Sequence, residues 1–205
     1  MTPFERVQAI AVPMPDADIN TDQIVPGRFM HKPRDDYGRY CFHDLRFDPQ
    51  GVPIVDFVLN RREFASGSIL VAGPNFGCGS SREHAVFTLV DYGIRAILAP
   101  SFGDIFFINC FKNGLLPVVL PEAFIFGLLA DIQQSPGCEV TVDLPSQQVT
   151  TANGHIARFQ INNFYKECLL KGLDEVEFTL TLRSAIERFE RTHQLPSIVE
   201  SETPN

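Results

Sequence analysis

The chain has 205 residues, a net charge of −8, 44% hydrophobic residues and 20% charged residues. This length is enough for a sizeable hydrophobic core, and the composition is ordinary for a soluble globular protein. The acidic balance, without any run of Lys or Arg, excludes a typical nucleic-acid binder and disfavours an anionic membrane surface as partner.

Residue usage narrows the class of protein further. Eighteen Phe and no Trp predict a core or an interface rich in Phe. Five Cys without any C-x-x-C spacing predict free thiols and disfavour a zinc or iron–sulfur site within this chain. The N-terminal stretch lacks the pattern of a signal peptide, and no apolar run is long enough to span a membrane, so we expect a cytoplasmic protein.

The first third of the chain is predicted to be rich in loops. Residues 6–12 alternate between apolar and other side chains, as a strand does. Residues 13–51 are dense in Asp, Pro, Gly and Arg with little periodicity, which indicates an ordered functional loop.

The middle of the chain, residues 68–134, is predicted to form an α/β core. Apolar runs predict three strands, over 68–72, 95–100 and 115–120, and three helices, over 81–93, 102–114 and 122–134. We expect residues 102, 105, 106 and 110 to form the apolar face of the second helix. Strands and helices that alternate over short connections predict a mainly parallel, three-layered α/β unit.

The last part of the chain, residues 138–193, is predicted to form a hairpin and C-terminal helices. Residues 138–161 predict two strands in which apolar and polar side chains alternate, with a turn near Ala152–Gly154 that suits a hairpin. Helices are predicted over 162–172 and 180–193, and the polar last dozen residues are expected to fray. No linker divides the chain, so a single domain over residues 1–205 is predicted.

The stretch GPNFGCGSSREHA, residues 73–85, is the strongest candidate for a site. Ser80 and Glu83 fit the capping box S-x-x-E, in which the serine serves only as a helix cap. The preceding glycines also allow backbone amides to converge at a helix N-terminus, where an anion can bind. Arg82, expected at the second helical position, offers a fork for a carboxylate, and no phosphate-loop pattern is present. A substrate that carries carboxylates is therefore favoured.

An alternative for the same stretch is a nucleophilic cysteine. Cys78 precedes the predicted helix, and His84 follows six residues later. Their spacing does not predict the contact that a Cys–His pair requires, and the hydrolase pattern G-x-S-x-G is absent. We therefore disfavour a stand-alone cysteine hydrolase.

Two loops of the first third contain residue types that bind metals, but neither has a complete ligand pattern. Residues 16–22 alternate Asp and Asn like a calcium loop, but Thr21 occupies the position that needs Gly and Gly27 the one that needs Glu. In the second loop, Cys41 and His43 provide at most two ligands.

The second loop, residues 29–44, also contains several cations. Lys32, Arg34 and Arg39 lie in it, and a solvated surface loop is the favoured interpretation for each of these residues taken alone.

Five segments together resemble one family, the small subunits of 3-isopropylmalate dehydratase in the aconitase superfamily. The resemblance extends over nearly the whole chain. The segments are NTDQIVPGRF (20–29), NFGCGSSREHA (75–85), DYGIRAILAPSFGDIFFINCFKNGLLPV (91–118), NGHIARFQI (153–161) and CLLKGLDEVEFTL (168–180). The resemblance implies the swivelling β/β/α domain, a three-layer α/β fold like the C-terminal domain of aconitase.

The resemblance also implies a role for each matching residue. Ser80 matches the catalytic serine, whose alkoxide removes a proton next to a substrate carboxylate. Arg82 matches the arginine that binds a carboxylate of the substrate, and Ser81 adds a hydrogen bond. Thr21 and Asp22 match a pair that shapes the substrate site.

The same resemblance implies a partner, a cofactor and a reaction. A large subunit would hold a [4Fe-4S] cluster, and this chain would bind neither cluster nor metal. The pair would convert 2-isopropylmalate into 3-isopropylmalate through 2-isopropylmaleate, in leucine biosynthesis. Residues 29–40 are unusually polar, which keeps open a related hydro-lyase acting on citraconate, 2-methylmalate or dimethylmaleate. A non-catalytic dicarboxylate-binding protein of the same fold is a further alternative.

Overall fold

The computed structural model describes residues 1–193, and the last dozen residues, for which fraying was predicted, lie outside the described part. Seven strands form one sheet in the order β4-β3-β2-β1-β5-β6-β7. The strands are β1 (Arg6–Met14), β2 (Ile69–Ala72), β3 (Ala96–Ala99), β4 (Leu116–Val119), β5 (Glu139–Asp143), β6 (Gln148–Thr150) and β7 (Ile156–Arg158).

The long first strand joins a parallel half of the sheet to an antiparallel half. Residues 11–14 of β1 pair in parallel with β2, whereas residues 6–10 pair with β5 in the antiparallel direction. The prediction of a mainly parallel unit over 68–134 is therefore confirmed by β2, β3 and β4, and the antiparallel pairing of β5, β6 and β7 agrees with the hairpin predicted after residue 138. Residues 138–161 form three strands where two were predicted, because the chain reverses before β6 as well as near Gly154.

Eight α-helices complete the described part of the chain. They are α1 (Thr21–Ile24), α2 (His43–Arg46), α3 (Glu83–Tyr92), α4 (Asp104–Lys112), α5 (Glu122–Gln134), α6 (Asn163–Lys171), α7 (Glu175–Thr181) and α8 (Arg183–Thr192). The loop-rich first third also contains short 3₁₀ turns at Gly27–Phe29, Tyr37–Tyr40, Val58–Asn60 and Arg62–Phe64.

The helix predicted over 180–193 corresponds to α8, and the structure has a further helix before it, α7, that was not predicted. A capping box begins α7: the Asp174 carboxylate accepts from the Glu177 amide (2.7 Å), and the Glu177 carboxylate accepts from the Asp174 amide (2.9 Å). Leu182 then separates α7 from α8. The D-x-x-E pattern at residue 174 was the missed signal.

The sheet is covered on both faces, which confirms the three-layer prediction. Every residue of β2 and β3 is buried, as expected when helices pack on both sides of parallel strands. Helix α5 contacts β1, β2 and β3, while α3 and α4, which connect successive parallel strands, contact each other. The described residues contain no helix that is both long and apolar enough to cross a membrane.

The predicted Phe-rich core is confirmed. Its buried phenylalanines are Phe4, Phe42, Phe64, Phe76, Phe106, Phe111 and Phe159. The predicted apolar face of α4 is only partly correct, because Phe106 and Cys110 are buried whereas Ile105 is 53% exposed. Ile108 lies one turn beyond Ile105 on the same side and is also exposed, so one side of α4 presents apolar groups to solvent.

Candidate active site

The loops that follow β1, β2 and β3 meet at the carboxyl edge of the parallel half of the sheet. An isolated parallel bridge joins Asn20 to Cys78, and a second joins Phe76 to Phe102. In open α/β sheets, the carboxyl edge of parallel strands is where ligands bind. The fold therefore brings the two stretches singled out from the sequence, 20–29 and 75–85, to one place.

The loop after β2 requires glycine at two positions. Gly77 and Gly79 have φ angles of +74° and +92°, which lie in the left-handed region. A Cβ atom on Gly77 would lie 2.2 Å from the Phe106 ring carbon Cγ, so this glycine is also required by packing. The loop thus packs against the buried Phe106 ring at Gly77, and the two residues that follow Gly79 are exposed.

Ser80 and Ser81 are exposed at the outer end of this loop. The predicted capping box is wrong: α3 begins at Glu83, its N-cap is Arg82, and no side chain caps it. A tight turn delays the helix, since the Arg82 amide donates to the Ser80 carbonyl (2.7 Å). The Glu83 carboxylate instead accepts from Asn113 Nδ2 (2.8 Å). The Ser80 hydroxyl is therefore not used as a cap.

Thr21 holds the backbone at Ser80 from below. Its side chain is buried, with 1% exposure, and its hydroxyl donates to the Ser80 carbonyl at 3.1 Å. The Thr21 amide donates to the Cys78 carbonyl at 3.0 Å. A capping box between Asn20 and Gln23 fixes α1, and with it the position of Thr21. Thr21 acts on Ser80 through the backbone.

Asp22 and Arg82 form an ion pair beside Ser80. Arg82 Nη1 donates to Asp22 Oδ1, and the arginine side chain is 22% exposed against 58% for the aspartate. Gly27 flanks the pair, since a Cβ atom there would lie 3.6 Å from Arg82 Nη1. The guanidinium has five N–H donors, so Asp22 can orient it while other donors bind a second carboxylate.

Sequence reasoning missed a cross-link between the three loops. Asn75 has a φ angle of +59°, and its Nδ2 donates to Asp18 Oδ1 at 2.6 Å. The backbone amide of Asn75 donates to the Ser101 hydroxyl at 2.8 Å. Asn tolerates the left-handed region better than most residues, so an Asn directly before F-G-C-G was the available signal.

The structure does not bring Cys78 and His84 together as a catalytic pair. Cys78 Sγ donates to the Asp18 carbonyl at 3.3 Å. The His84 ring packs between Tyr37 and Phe87, with centroid separations of 5.7 Å to each. Within residues 1–193 no hydrogen bond joins Cys78 to His84, so the geometry gives the nucleophile hypothesis no support.

The arginines around the 29–44 loop are paired with carboxylates of this chain. The pairs are Arg28–Asp44, Arg34–Asp91 at 3.3 Å and Arg39–Asp35 at 3.0 Å. The hydrogen bond from Arg28 lowers the pKa of Asp44 to about 2. The polarity of this loop is thus used in internal ion pairs, which supports the interpretation as a solvated surface loop.

The described residues do not include the ligand set of a metal cluster. In the part of the chain that the structure describes, no three His, Cys, Asp or Glu side chains lie close enough to share a metal ion. All five cysteines are free, and three are buried at separate places in the core. Burial raises the pKa of Cys41 to about 12, which disfavours the thiolate that an iron–sulfur cluster requires.

Comparison with known proteins gives concordant matches along the chain. The family model described as Aconitase C-terminal domain matches residues 1–123, and the model described as LeuD_N matches residues 127–163. A 3-isopropylmalate dehydratase small subunit from Ruegeria sp. (strain TM1040) is 46% identical, over 93% of this chain and 95% of that protein. A protein of the same name from Parvibaculum lavamentivorans is 42% identical, over 93% and 96%.

A solved structure agrees with these relatives. The crystal structure of 3-isopropylmalate dehydratase (leuD) from Methanocaldococcus jannaschii is similar, with a TM-score of 0.63 and 26% sequence identity. The similarity covers 90% of this chain and 99% of that one. The chain therefore belongs to the aconitase C-terminal domain family and, within it, to the 3-isopropylmalate dehydratase small subunits.

Proposed function

We propose that this chain is the small subunit of a hydro-lyase that isomerises 2-isopropylmalate to 3-isopropylmalate through 2-isopropylmaleate, in leucine biosynthesis. The observation that carries the proposal is 46% identity, over nearly the full length of both chains, with a protein named 3-isopropylmalate dehydratase small subunit. The exposed Ser80–Arg82 turn at the carboxyl edge of the sheet supports it. The polar residues of the 29–44 loop form ion pairs within this chain, so the polarity of the loop does not favour a different diacid substrate.

The proposal includes a large subunit that carries a [4Fe-4S] cluster. Family membership supports it, as does the lack of a shared cysteine set within residues 1–193. When bound, such a cluster supplies a Lewis acid for the hydroxyl that leaves and returns. The exposed side of α4 supports contact with this partner. Ile105 and Ile108 are exposed apolar residues on this helix, which starts beside the loop that follows β2.

Ser80 Oγ is the proposed base. In the elimination it takes a proton from the carbon next to a substrate carboxylate, and in the readdition it returns a proton to the neighbouring carbon. A serine hydroxyl is ordinarily protonated at neutral pH, so its alkoxide needs nearby positive charge. The Arg82 guanidinium and the N-terminus of α3 are the positive groups next to it in the chain.

The neighbouring residues bind and position the diacid. Arg82, oriented by Asp22, offers its remaining donors to a carboxylate, and the exposed Ser81 hydroxyl adds a hydrogen bond. Thr21 is proposed to position the backbone of Ser80 through its buried hydrogen bond to the Ser80 carbonyl, without touching the substrate.

The test is turnover by the chain reconstituted with its large subunit. Ser80→Ala should lower kcat by about 10²–10⁴-fold, the range of general base catalysis, while assembly is unchanged. Ser81→Ala is the matched control on the adjacent exposed hydroxyl and should cost far less. Undiminished turnover by Ser80→Ala would contradict the base assignment, and enzyme-like turnover by the isolated chain would contradict the two-subunit assignment.

The substrate is tested with the same reconstituted pair. We expect kcat/KM for 2-isopropylmalate to exceed the values for citraconate and 2,3-dimethylmaleate. A preference for either of the latter would favour the related hydro-lyases. Binding of diacids without turnover of any would favour the non-catalytic dicarboxylate-binding protein.

A further inference from the structure

Helix α8, Arg183–Thr192, lies outside the body of the protein. Every residue of this ten-residue helix is exposed, and α7 is the element it contacts most. An isolated helix of this length is marginal in water, because its few hydrogen bonds barely offset the cost of nucleation. A surface that covers one side of α8 would stabilise it.

One side of α8 is apolar. The N-cap residue Leu182 and residues Ile186 and Phe189 of α8 are spaced by four and three residues, which places them in one stripe on the same side. Their exposed fractions are 50%, 40% and 58%. Val176 and Leu180 of α7 are exposed as well, at 68% and 56%, so the preceding helix also presents apolar side chains to solvent. Such spacing is that of helices that pair with another helix.

The charges beside the stripe indicate which helix fits. Arg183 and Glu190 lie seven residues apart and so flank the stripe on the same side, whereas Ala185 and Thr192 occupy the other flank. Within residues 1–193, neither Arg183 nor Glu190 takes part in an ion pair. When two identical helices pair antiparallel, the same flank of each helix faces the other. Arg183 of each copy would therefore face Glu190 of the other copy, which gives two ion pairs. A parallel pair would place charged residues against uncharged ones.

We propose that α8 binds α8 of a second copy of this chain in an antiparallel, twofold-symmetric pair. A twofold contact requires a surface that is complementary to itself, and the Arg183–Glu190 flank meets that requirement.

The start of α7 lies at the end of α4 that is away from the candidate active site. Helix α4 runs from the site edge to the opposite edge, where Lys112 lies 3.7 Å from Glu175 at the start of α7. The segment that leads into α8 therefore starts at the edge opposite Ser80.

The test measures the self-association of the full-length chain by sedimentation equilibrium over a range of concentrations. The wild-type chain should form a weak dimer. Arg183→Glu places like charges opposite each other at two symmetric positions and should raise the dimer Kd about tenfold. The double variant Arg183→Glu/Glu190→Arg should restore the wild-type Kd, because it exchanges the two signs. Arg188→Glu is the matched control, since it makes the same charge change on the opposite side of the helix and should leave Kd unchanged.

A change in the stripe itself gives a second measurement. Ile186→Asp should make the chain monomeric without altering its unfolding midpoint by more than a few degrees, because Ile186 is 40% exposed and lies outside the hydrophobic core in one copy. Wild-type protein that stays monomeric, or equal effects of Arg183→Glu and Arg188→Glu, would overturn the proposal. Loss of large-subunit binding by Ile186→Asp, with self-association unchanged, would assign the stripe to that subunit instead. A dimer that appears only after deletion of residues 194–205 would assign it to those residues.

Discussion

Replacement of Gly77 by Ala tests how the site loop is held on the core. Gly77 has a φ angle of +74°, and a Cβ atom there would lie 2.2 Å from Cγ of Phe106. The left-handed backbone costs an alanine about 1–2 kcal/mol, of which about 0.4–1 kcal/mol is offset by the reduced entropy of the unfolded chain. The clash with the buried ring adds about 1–3 kcal/mol, as overpacking does in other cores. Gly77→Ala should therefore lower the free energy of unfolding by about 1.5–4 kcal/mol.

Gly154→Ala is the matched control. Gly154 has a φ angle of +80°, but a Cβ atom there would meet nothing within 4 Å. This variant should lose only the backbone contribution, about 0.5–1 kcal/mol. Chemical denaturation of both variants, followed by circular dichroism, gives the two free energies of unfolding, and the difference isolates the clash with Phe106.

Two results would refute this reasoning. If Gly77→Ala lost no more stability than Gly154→Ala, the loop would not be pressed against the ring as the structure has it. In a Phe106→Leu background, the loss caused by Gly77→Ala should shrink, because the smaller side chain leaves room for the new methyl group. A loss of the same size in both backgrounds would locate the cost elsewhere.

The remaining predictions concern a buried hydroxyl and a surface carboxylate. Thr21→Val removes the hydrogen bond to the Ser80 carbonyl at nearly constant volume, so we expect a loss of about 1 kcal/mol, or about 2–4 °C in Tm, and a reduced kcat of the reconstituted enzyme. Thr21→Ser keeps the hydroxyl and should retain most of kcat, whereas full turnover by Thr21→Val would contradict the positioning role. For Asp44, the folded-state pKa of about 2 lies below its ordinary value, so the stabilisation it contributes is present above about pH 4 and is lost as the pH falls towards 2. Arg28→Ala should raise the Asp44 pKa towards its ordinary value in an NMR titration, with a small effect on stability because the pair is exposed. An unchanged Asp44 pKa in this variant would mean that Arg28 does not cause the low pKa of Asp44.

The sequence predicted those parts of the fold in which local pattern and tertiary structure require the same thing. The strand–helix alternation over 68–134 is confirmed, and helix α5 has the predicted bounds of 122–134. In this region a buried strand needs an unbroken apolar run and its helix needs glycine or proline at the ends, and both signals lie within a few residues of each other.

The prediction failed where a distant contact decides between two local possibilities. S-x-x-E at Ser80 and Glu83 fits a cap, but the Ser80 carbonyl is held by Thr21, fifty-nine residues away in the chain, and Asn113 takes the Glu83 carboxylate. The helix therefore begins two residues after the position that the motif suggests. Similarly, the hairpin predicted after residue 138 did not reveal that β5 pairs with the first half of β1, because alternation within a strand does not identify its partner strand.

For the candidate site, the local sequence was enough to identify the residue types, Ser80 and Arg82 among glycines, and the family to which they point. The fold shows in addition that 20–29 and 75–85 meet at one edge, that Thr21 is buried against the Ser80 backbone, and that Asp22 pairs with Arg82. The physical reason is that backbone propensities act over a few residues, whereas these contacts depend on how parallel strands align. The carboxyl ends of β1 and β2 are far apart in the chain and become neighbours only when the sheet forms.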